Sequence, residues 1–523
     1  MLQGALLRAN GALVKDFRPG RVAPEFQDLD PSFETGGQTL LTPQCGVEAM
    51  KQSDQALQGR KLIGSLLATI LLFAVSTEGW GREVEVRMTV FALRHGIRHP
   101  TPAPPDLQLY AQNRYWSPWY TTQYGCLTAN GVRVEEKLGA YYRKVLLAEG
   151  LIPESCPADD QYYLRADSFQ RTWWSARAFA DGLYPGCQAT VYAINAQAYQ
   201  TQVPRPFGDL TCTSENDPLF FPLQSSPNPP AMNPTQALLA AAATVGARGD
   251  AKVVDTPRLT EANHYPIAEM QAATDCCQPS ACPNLPEGQL CTLERLSAQL
   301  TSSATGVSLS GPVNIGGTLA ATFLMAYMDG LPMEDVAFGR LTLEQLNPTF
   351  ALNNQDFGVS YGTPYVAEAQ MSNWMNQILL ALQQRVDGVK RPNAVALPSN
   401  RVALFLGHDD NLHGLGALMG VSWINKGYQP QQTPPGSGFV FTLIREKGTG
   451  RHYVRTDFIA QSPDQQRNIS ELTLSDPPSQ VPLQIPGCQS PSDLPYFCRL
   501  EDFVRIVRRS VNPKYLTRVQ SLR

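Results

Sequence analysis

Two stretches of this chain run apolar and then break abruptly into charge. Residues 84–93, VEVRMTVFAL, are rich in valine and end in five apolar positions out of six. Residues 400–407, NRVALFLG, form a second such run. Short, nearly continuous apolar runs predict strands covered on both faces. Between them the period lengthens. In LTANGVRVEEKLGAYYRKVL, residues 127–146, Val134, Leu138, Tyr141 and Val145 recur at spacings of 4, 3 and 4, which marks one face of a helix. QYYLRA, residues 161–166, predicts another strand. SFQRTWWSARAFADGLYPG, residues 168–186, predicts a helix with Trp173, Ala176, Ala180 and Leu183 on one face, closed by Pro185 and Gly186. QATVYAINA, residues 188–196, is a further strand candidate, and GGTLAATFLMAYMDGLP, residues 316–332, a further helix. GFVFTLIREKGTGRHYVRTDFIA, residues 438–460, predicts a late hairpin turning around Lys447 to Gly450.

Residues 206–305 differ, with Pro-rich loops, an alanine-rich helix at 235–246 and a cluster of cysteines. No strand pattern stands out there, and the segment reads as a mostly helical insertion. Strands alternating with helices predict an α/β three-layer fold. The expected organisation is an α/β catalytic domain from 82–205 and 306–523, a helical insertion domain from 206–305, and an extension over 1–81. No internal repeat is found.

The extension carries its own signal. Arg60 and Lys61 precede LIGSLLATILLFAV, residues 62–75, a run with the length of a signal-peptide core and too short to span a bilayer comfortably. Ala74 and Ser76 fit cleavage after Ser76, with Gly79 or Gly81 as alternatives. Met50 would give an ordinary signal peptide, so residues 1–49 are read as lying ahead of the true start; the alternative is a cytoplasmic tail on a signal anchor. Eleven cysteines in close pairs read as disulfides of an oxidising compartment, and without Cys45 ten remain. Zinc at Cys276, Cys277, Cys282 and Cys291 is disfavoured, because no CxxC pair occurs among these Pro-rich loops. A net charge of −4, with 17% charged residues, gives no basic field for nucleic acid.

That makes the local charge after the first strand informative. Arg94, His95, Arg98 and His99 fall within six positions. The strand at 400–407 ends similarly, in His408 and Asp409. Ligand sites in open α/β sheets gather beyond the carboxyl ends of strands, so these residues are expected to converge, joined by Arg171 near a helix start. Three guanidiniums match a phosphate group, and their mutual repulsion calls for an anion. A neutral imidazole among them can attack phosphorus, the arginines can stabilise the transferring phosphoryl group, and a carboxylic acid must protonate the leaving oxygen. Asp409 is the candidate, and its need to start protonated predicts an acidic optimum. A metal pair at His95 and His99 is disfavoured: Gly96 and Pro100 oppose a helix, and the arginines repel a cation. His413 is read as a surface or packing residue and the Trp116–Trp119 and Trp173–Trp174 clusters as core or domain-interface packing, and Arg165 as an end-of-strand charge or a residue with some role near the site.

RHGIRHP, the Arg171–Thr172 pair and GHDDN, in that order, resemble the pattern of the histidine acid phosphatases from about Val84 to the C terminus. DPLFFPL, SLSGPVNIGGTLA, QQTPPGSGF and the cysteines at 488 and 498 resemble the bacterial phytase and glucose-1-phosphatase branch. The resemblance implies a phosphoglycerate-mutase-like three-layer α/β domain with an inserted smaller α-helical domain and the pocket between them. It implies His95 as the phosphate-accepting nucleophile and Asp409 as the proton donor. Arg94, Arg98, Arg171 and His408 would hold the phosphate, with Thr101 and Asp167 at the pocket. No metal or organic cofactor is implied. The implied disulfides are Cys156–Cys187 and Cys488–Cys498, with Cys291 paired to one of Cys276, Cys277 or Cys282; Cys126 and Cys212 stay unassigned.

Three departures bear on substrate. Pro102 stands where the phytases carry Lys, Asp410 where they carry Thr or Ser, and Gly438 where a glutamate is usual. Gly96 is kept as in phytases, where glucose-1-phosphatases tend to carry Asn. The expectation is a monomeric, periplasmic or secreted acid phosphomonoesterase acting on small-molecule phosphate esters, with inositol hexakisphosphate as the substrate. It has no nucleic-acid partner and no stable membrane span after signal cleavage. The alternatives are a broad-specificity or sugar phosphatase, a mutase, against which the signal peptide and Arg98 speak, and a phosphate-ester binding protein, against which His95 and Asp409 speak.

Overall fold

The computed structural model describes residues 83–523 except 102–103, 112–113, 206–211, 213, 226–227 and 248–252, and describes 104–106 by backbone alone. The extension over 1–81, its apolar run at 62–75, Cys45 and Pro102 lie outside the described residues. The strands are β1 (Val84–Arg94), β2 (Tyr162–Ala166), β3 (Val191–Tyr192), β4 (Val253–Asp255), β5 (Gln299–Ser302), β6 (Val307–Leu309), β7 (Val402–Gly407), β8 (Gly438–Glu446), β9 (His452–Ala460), β10 (Ser479–Leu483) and β11 (Phe497–Arg499). The main sheet runs β10-β9-β8-β1-β7-β2-β3, with β11 also on β9. The strands β1, β7, β2 and β3 are parallel, and the β8–β9 hairpin adds antiparallel pairs.

The apolar runs are explained by cover on both faces. Phe91 and Leu93 of β1, with Val402, Leu404 and Leu406 of β7, pack into one layer that holds Leu138, Tyr142 and Phe179. Val90 and Ala92, with Ala403 and Phe405, pack into the opposite layer with Trp374, Leu412 and Phe503. The first layer is the Ala129–Ala148 and Gln170–Leu183 helices. They pass backbone to backbone: a Cβ on Gly139 would lie 2.1 Å from the Phe179 carbonyl oxygen, so only glycine permits the crossing. The second layer includes the Pro364–Asp387, Asp409–Met419 and Leu500–Ser510 helices. The result is a three-layer α/β domain.

Beside it lies a mostly helical body. Leu238, Ile267 and Leu300 share one core with Leu319 and Phe323 of the Pro312–Met328 helix and Leu352 of the Ala351–Ser360 helix. Residues on both sides of position 305 therefore build it. It also contains a three-stranded antiparallel sheet, β4-β5-β6, where the sequence reading found no strand pattern. These strands are three or four residues long, too short for an alternation to register. The expected strand at 188–196 contracts to the two residues of β3.

The disulfides among the described residues are Cys126–Cys212, Cys156–Cys187, Cys276–Cys277, Cys282–Cys291 and Cys488–Cys498. Of the three candidates, Cys291 pairs with Cys282. No helix of the described residues is long and apolar enough to cross a membrane.

Candidate active site

Register assembles the site. In the parallel ladder Arg94 stands opposite Gly407, and Ala166 opposite Leu406. The three chains leave the sheet side by side and deliver His95, Asp167 and His408 to one place. The His95 amide donates to the Gly407 carbonyl at 3.0 Å. The His95 and His408 rings lie edge to face, 5.4 Å between centroids.

His95 is 1% exposed. Its Nδ1 lies 2.8 Å from the Gly96 carbonyl oxygen. A carbonyl only accepts, so Nδ1 carries the proton and Nε2 keeps its lone pair. Burial, then Arg171, Arg94, His408 and Arg98, hold the imidazole well below its ordinary range. It is a neutral base with its reactive nitrogen free of hydrogen, the form a nucleophile needs.

Around it the guanidiniums are crowded. Arg94, 1% exposed, pairs with Asp409 at 2.7 Å and donates to the Thr433 carbonyl. Burial and the neighbouring Arg171 lower Arg98 to about 9, and burial lowers Arg171 to about 10. Both remain cations at any acidic pH, and their mutual strain is what an arriving dianion relieves. Arg171 also stacks on Phe169, 4.4 Å from the ring centroid.

His408 is fixed from both sides. Arg171 Nη2 lies 3.3 Å from its Nδ1 and Asp167 Oδ2 lies 2.8 Å from its Nε2. A guanidinium only donates, so Nδ1 accepts and Nε2–H is given to Asp167. Burial, then Arg171, keep His408 well below its usual range. Asp167, fully buried, is raised by burial to about 7.

The two acids that follow His408 diverge. Burial pushes Asp409 up, but Arg94, Arg98 and two histidines pull it down further, and the net direction is downward. Burial and then the Asp409 charge raise Asp410 to about 7. The sequence reading requires Asp409 to start protonated. In this structure its carboxyl sits on the Arg94 guanidinium, which favours the charged form, while the neighbouring charge of Asp409 favours the neutral form of Asp410.

Thr101 lies exposed at the rim. With Arg98 and Asp409 it borders a cavity of about 250 Å³, whose far wall includes Asn314, Asp356 and Tyr361. His99 turns away: its Nδ1–H donates to the Trp119 carbonyl at 2.9 Å. Among the described residues no cluster of His, Cys, Asp and Glu is placed to hold a metal ion.

The sequence profile of the histidine phosphatase superfamily (branch 2) matches residues 85–234. Phytase AppA of Escherichia coli K12 is 30% identical over 436 residues, covering 82% of this chain and 93% of the relative. The chain belongs to the histidine phosphatase superfamily, branch 2. Glucose-1-phosphatase of Salmonella typhimurium is 27% identical over 84% of the chain and 96% of the relative. The solved phytase of Hafnia alvei in complex with tartrate is 27% identical, with a TM-score of 0.70 over 84% of this chain and all of that one. Its complex with myo-inositol hexakis sulphate gives a TM-score of 0.68.

This histidine acid phosphatase has supporting residues that sequence reasoning missed. Arg165, for which the sequence left open an end-of-strand charge or a role near the site, is fully buried and grips Asp217 through Nε and Nη2 at 2.7–2.9 Å. The Asp217 amide donates to Asp167 Oδ1 at 3.2 Å, so the pair stands one step behind the His408–Asp167 contact. Asp217 opens the DPLFFPL stretch, and that stretch was the available signal. Phe169 and Phe221 pack on the His408 ring at 4.9 and 5.5 Å. His413 packs edge to face on Phe357, and burial lowers it to about 4, as suits a packing residue.

Proposed function

We propose that this enzyme is an exported acid phosphomonoesterase that works through a phosphohistidine. The observation that carries the reading is a neutral His95, its Nδ1 tied to the Gly96 carbonyl, set among Arg94, Arg98 and Arg171, with Asp409 paired to Arg94 from the next strand. Nε2 attacks phosphorus and forms an N–P bond as the P–O bond to the alcohol breaks. The three guanidiniums take up the phosphoryl charge. Asp409 gives its proton to the leaving oxygen, then accepts one from the water that hydrolyses the phosphohistidine, releasing phosphate and restoring both groups. The downward direction of Asp409 in the free site is reversed as substrate binds. The phosphate dianion neutralises Arg94 and Arg98, which removes the field that kept the carboxyl ionised. His408, held between Arg171 and Asp167, is a further phosphate ligand. Export to the periplasm or the medium is supported by the apolar run at 62–75 and by the disulfides.

The substrate proposed is inositol hexakisphosphate, supported by the 30% identity to a phytase and by Gly96 in the nucleophile loop. A second reading, a small sugar phosphate, is favoured by the cavity wall. Asn314, Asn353, Asp356, Ser360 and Tyr361 present amides, hydroxyls and a carboxylate, groups suited to the hydroxyls of an uncharged polyol. The test is kcat/KM for inositol hexakisphosphate, glucose-1-phosphate and p-nitrophenyl phosphate at about pH 4.5 without metal, with His95→Ala as control. A clear preference for the hexakisphosphate supports the phytase reading and preference for the small esters the second. Activity surviving in His95→Ala overturns the mechanism.

A further inference from the structure

The Ala129–Ala148 helix leans on the loop that carries the nucleophile. Gly131 allows the approach: a Cβ there would lie 2.4 Å from the Ile97 carbonyl oxygen. One turn on, the helix delivers Glu135, which is 0% exposed. Neither carboxyl oxygen has a hydrogen-bond partner among the described residues. The carboxyl rests against two glycines. A Cβ on Gly96 would lie 3.0 Å from its Cγ and Oε1, and one on Gly436 would lie 2.7 Å from Oε1. Both glycines hold His95. The Gly96 carbonyl accepts from its Nδ1 at 2.8 Å, and the Gly436 amide donates to its carbonyl at 3.1 Å. A buried carboxyl without partners costs stability, and none of the steps above uses it.

We propose that Glu135 is a positioning residue for His95, a wedge that fixes the main chain on both sides of the nucleophile through Gly96 and Gly436. This rests on His95 being the phosphate acceptor. The wedge holds in its neutral form. Burial alone raises the Glu135 carboxyl well above the usual range. Its own helix carries Arg133, Glu136, Lys137, Tyr141, Tyr142, Arg143 and Lys144. The nucleophile loop carries Arg94, His95, Arg98 and His99, and the neighbouring helix Arg171, Arg177 and Asp181. The 433–437 turn carries no titratable group. None of these contributes to the shift. Once ionised, Glu135 must draw water or main-chain amides toward itself, and the loop that it touches is the one that aims His95. The phosphorylation step therefore slows as pH rises through this ionisation.

The test follows phosphohistidine formation by alkaline quench with a radiolabelled phosphate ester, across pH, in the full enzyme. Glu135→Gln keeps the shape and removes the titration. The expected result is an unchanged rate at low pH and a high-pH half-point moved up by about one unit or more. Glu135→Ala removes the wedge. Its kcat is expected to fall about tenfold at every pH with KM within about twofold, because the arginines are untouched. A Glu135→Gln profile that overlays the wild type, or a wild-type kcat in Glu135→Ala, overturns the proposal. Should Glu135→Gln fail to fold, Glu135→Leu puts the same question with a side chain suited to burial. If the wild type forms no phosphohistidine at any pH, the function reading beneath the proposal falls with it, a result distinct from an unmoved profile.

Discussion

Arg94 and Asp409 meet in a 2.7 Å ion pair at the base of the site, because the strands that deliver them are parallel neighbours in register. The pair couples phosphate binding to proton transfer. The guanidinium that keeps Asp409 ionised in the free enzyme is also a ligand for the incoming dianion, so substrate arrival raises the proton affinity of the acid that must protonate the leaving group.

Asp409→Asn should therefore cost about 10²–10⁴-fold in kcat on a sugar phosphate, whose alkoxide needs a proton to leave. The loss on p-nitrophenyl phosphate should be much smaller, since p-nitrophenolate departs unaided. Steady-state assays on both esters check this, and equal losses would count against Asp409 as the donor.

The buried Arg165–Asp217 pair makes a prediction about stability. Both side chains are 0% exposed, and Arg165→Met leaves an uncompensated carboxylate in the interior. Removing one partner of such a pair costs about 3–5 kcal/mol. Because the Asp217 amide also holds Asp167, the variant should lose phosphate affinity as well. Chemical denaturation measures the first effect and competition by inorganic phosphate the second. A cost below about 1 kcal/mol would show that the pair is not the buried anchor described here.

The site was legible in the sequence to the extent that strand ends placed it. The runs at 84–93 and 400–407 become almost continuously apolar toward their carboxyl ends because both sheet faces are covered there, and that continuity located the two charged loops. What was lost depends on contacts between distant segments. Arg165 looks like any charge at a strand end until Asp217 closes on it. Glu135 follows Val134 on a helix whose apolar face is readable, and nothing local shows that the nucleophile loop covers its other side. The strands β4, β5 and β6 escaped because three or four residues cannot display a period. The ion pair that favours ionised Asp409 in the free site was not visible, because Arg94 reaches it only after β1 and β7 pair.

The cavity wall makes the substrate question mutable. Asp356, 6% exposed, accepts from Asn314 at 2.8 Å and from Ser360 at 3.2 Å, on the wall facing Arg98 and Asp409. Above about pH 6, where Asp356 is ionised, a carboxylate there repels additional phosphates of a polyphosphate but not the hydroxyls of a sugar. Measured at about pH 7, Asp356→Asn should raise kcat/KM for inositol hexakisphosphate relative to glucose-1-phosphate by about three- to tenfold, with p-nitrophenyl phosphate little changed, and at about pH 4.5, where Asp356 is neutral, the ratio should barely move. An unchanged ratio at the higher pH would remove Asp356 from the determinants of specificity.

The same residue ties stability to pH. Burial raises Asp356 to about 6 and Asp167 to about 7 in the folded protein, against about 3.9 for an unfolded aspartate. The folded state then binds more protons than the unfolded one across this interval. The stability from both groups is in full effect below about pH 4 and is lost as pH rises toward 6 or 7. Asp409 has the opposite sign, since its lowered carboxyl contributes stability above its ordinary range and loses it in stronger acid. Asp410, raised to about 7, adds to the first sign, whereas His95, His408 and His413, all lowered by burial, favour the fold as pH rises, so the contribution of Asp356 is read from the difference between wild type and a variant. Asp356→Asn removes one raised group, so between about pH 4 and pH 6 the slope of Tm against pH should be more positive in that variant than in the wild type. Thermal unfolding of both proteins across this range checks it. An identical slope in the variant would show that Asp356 does not carry this linkage.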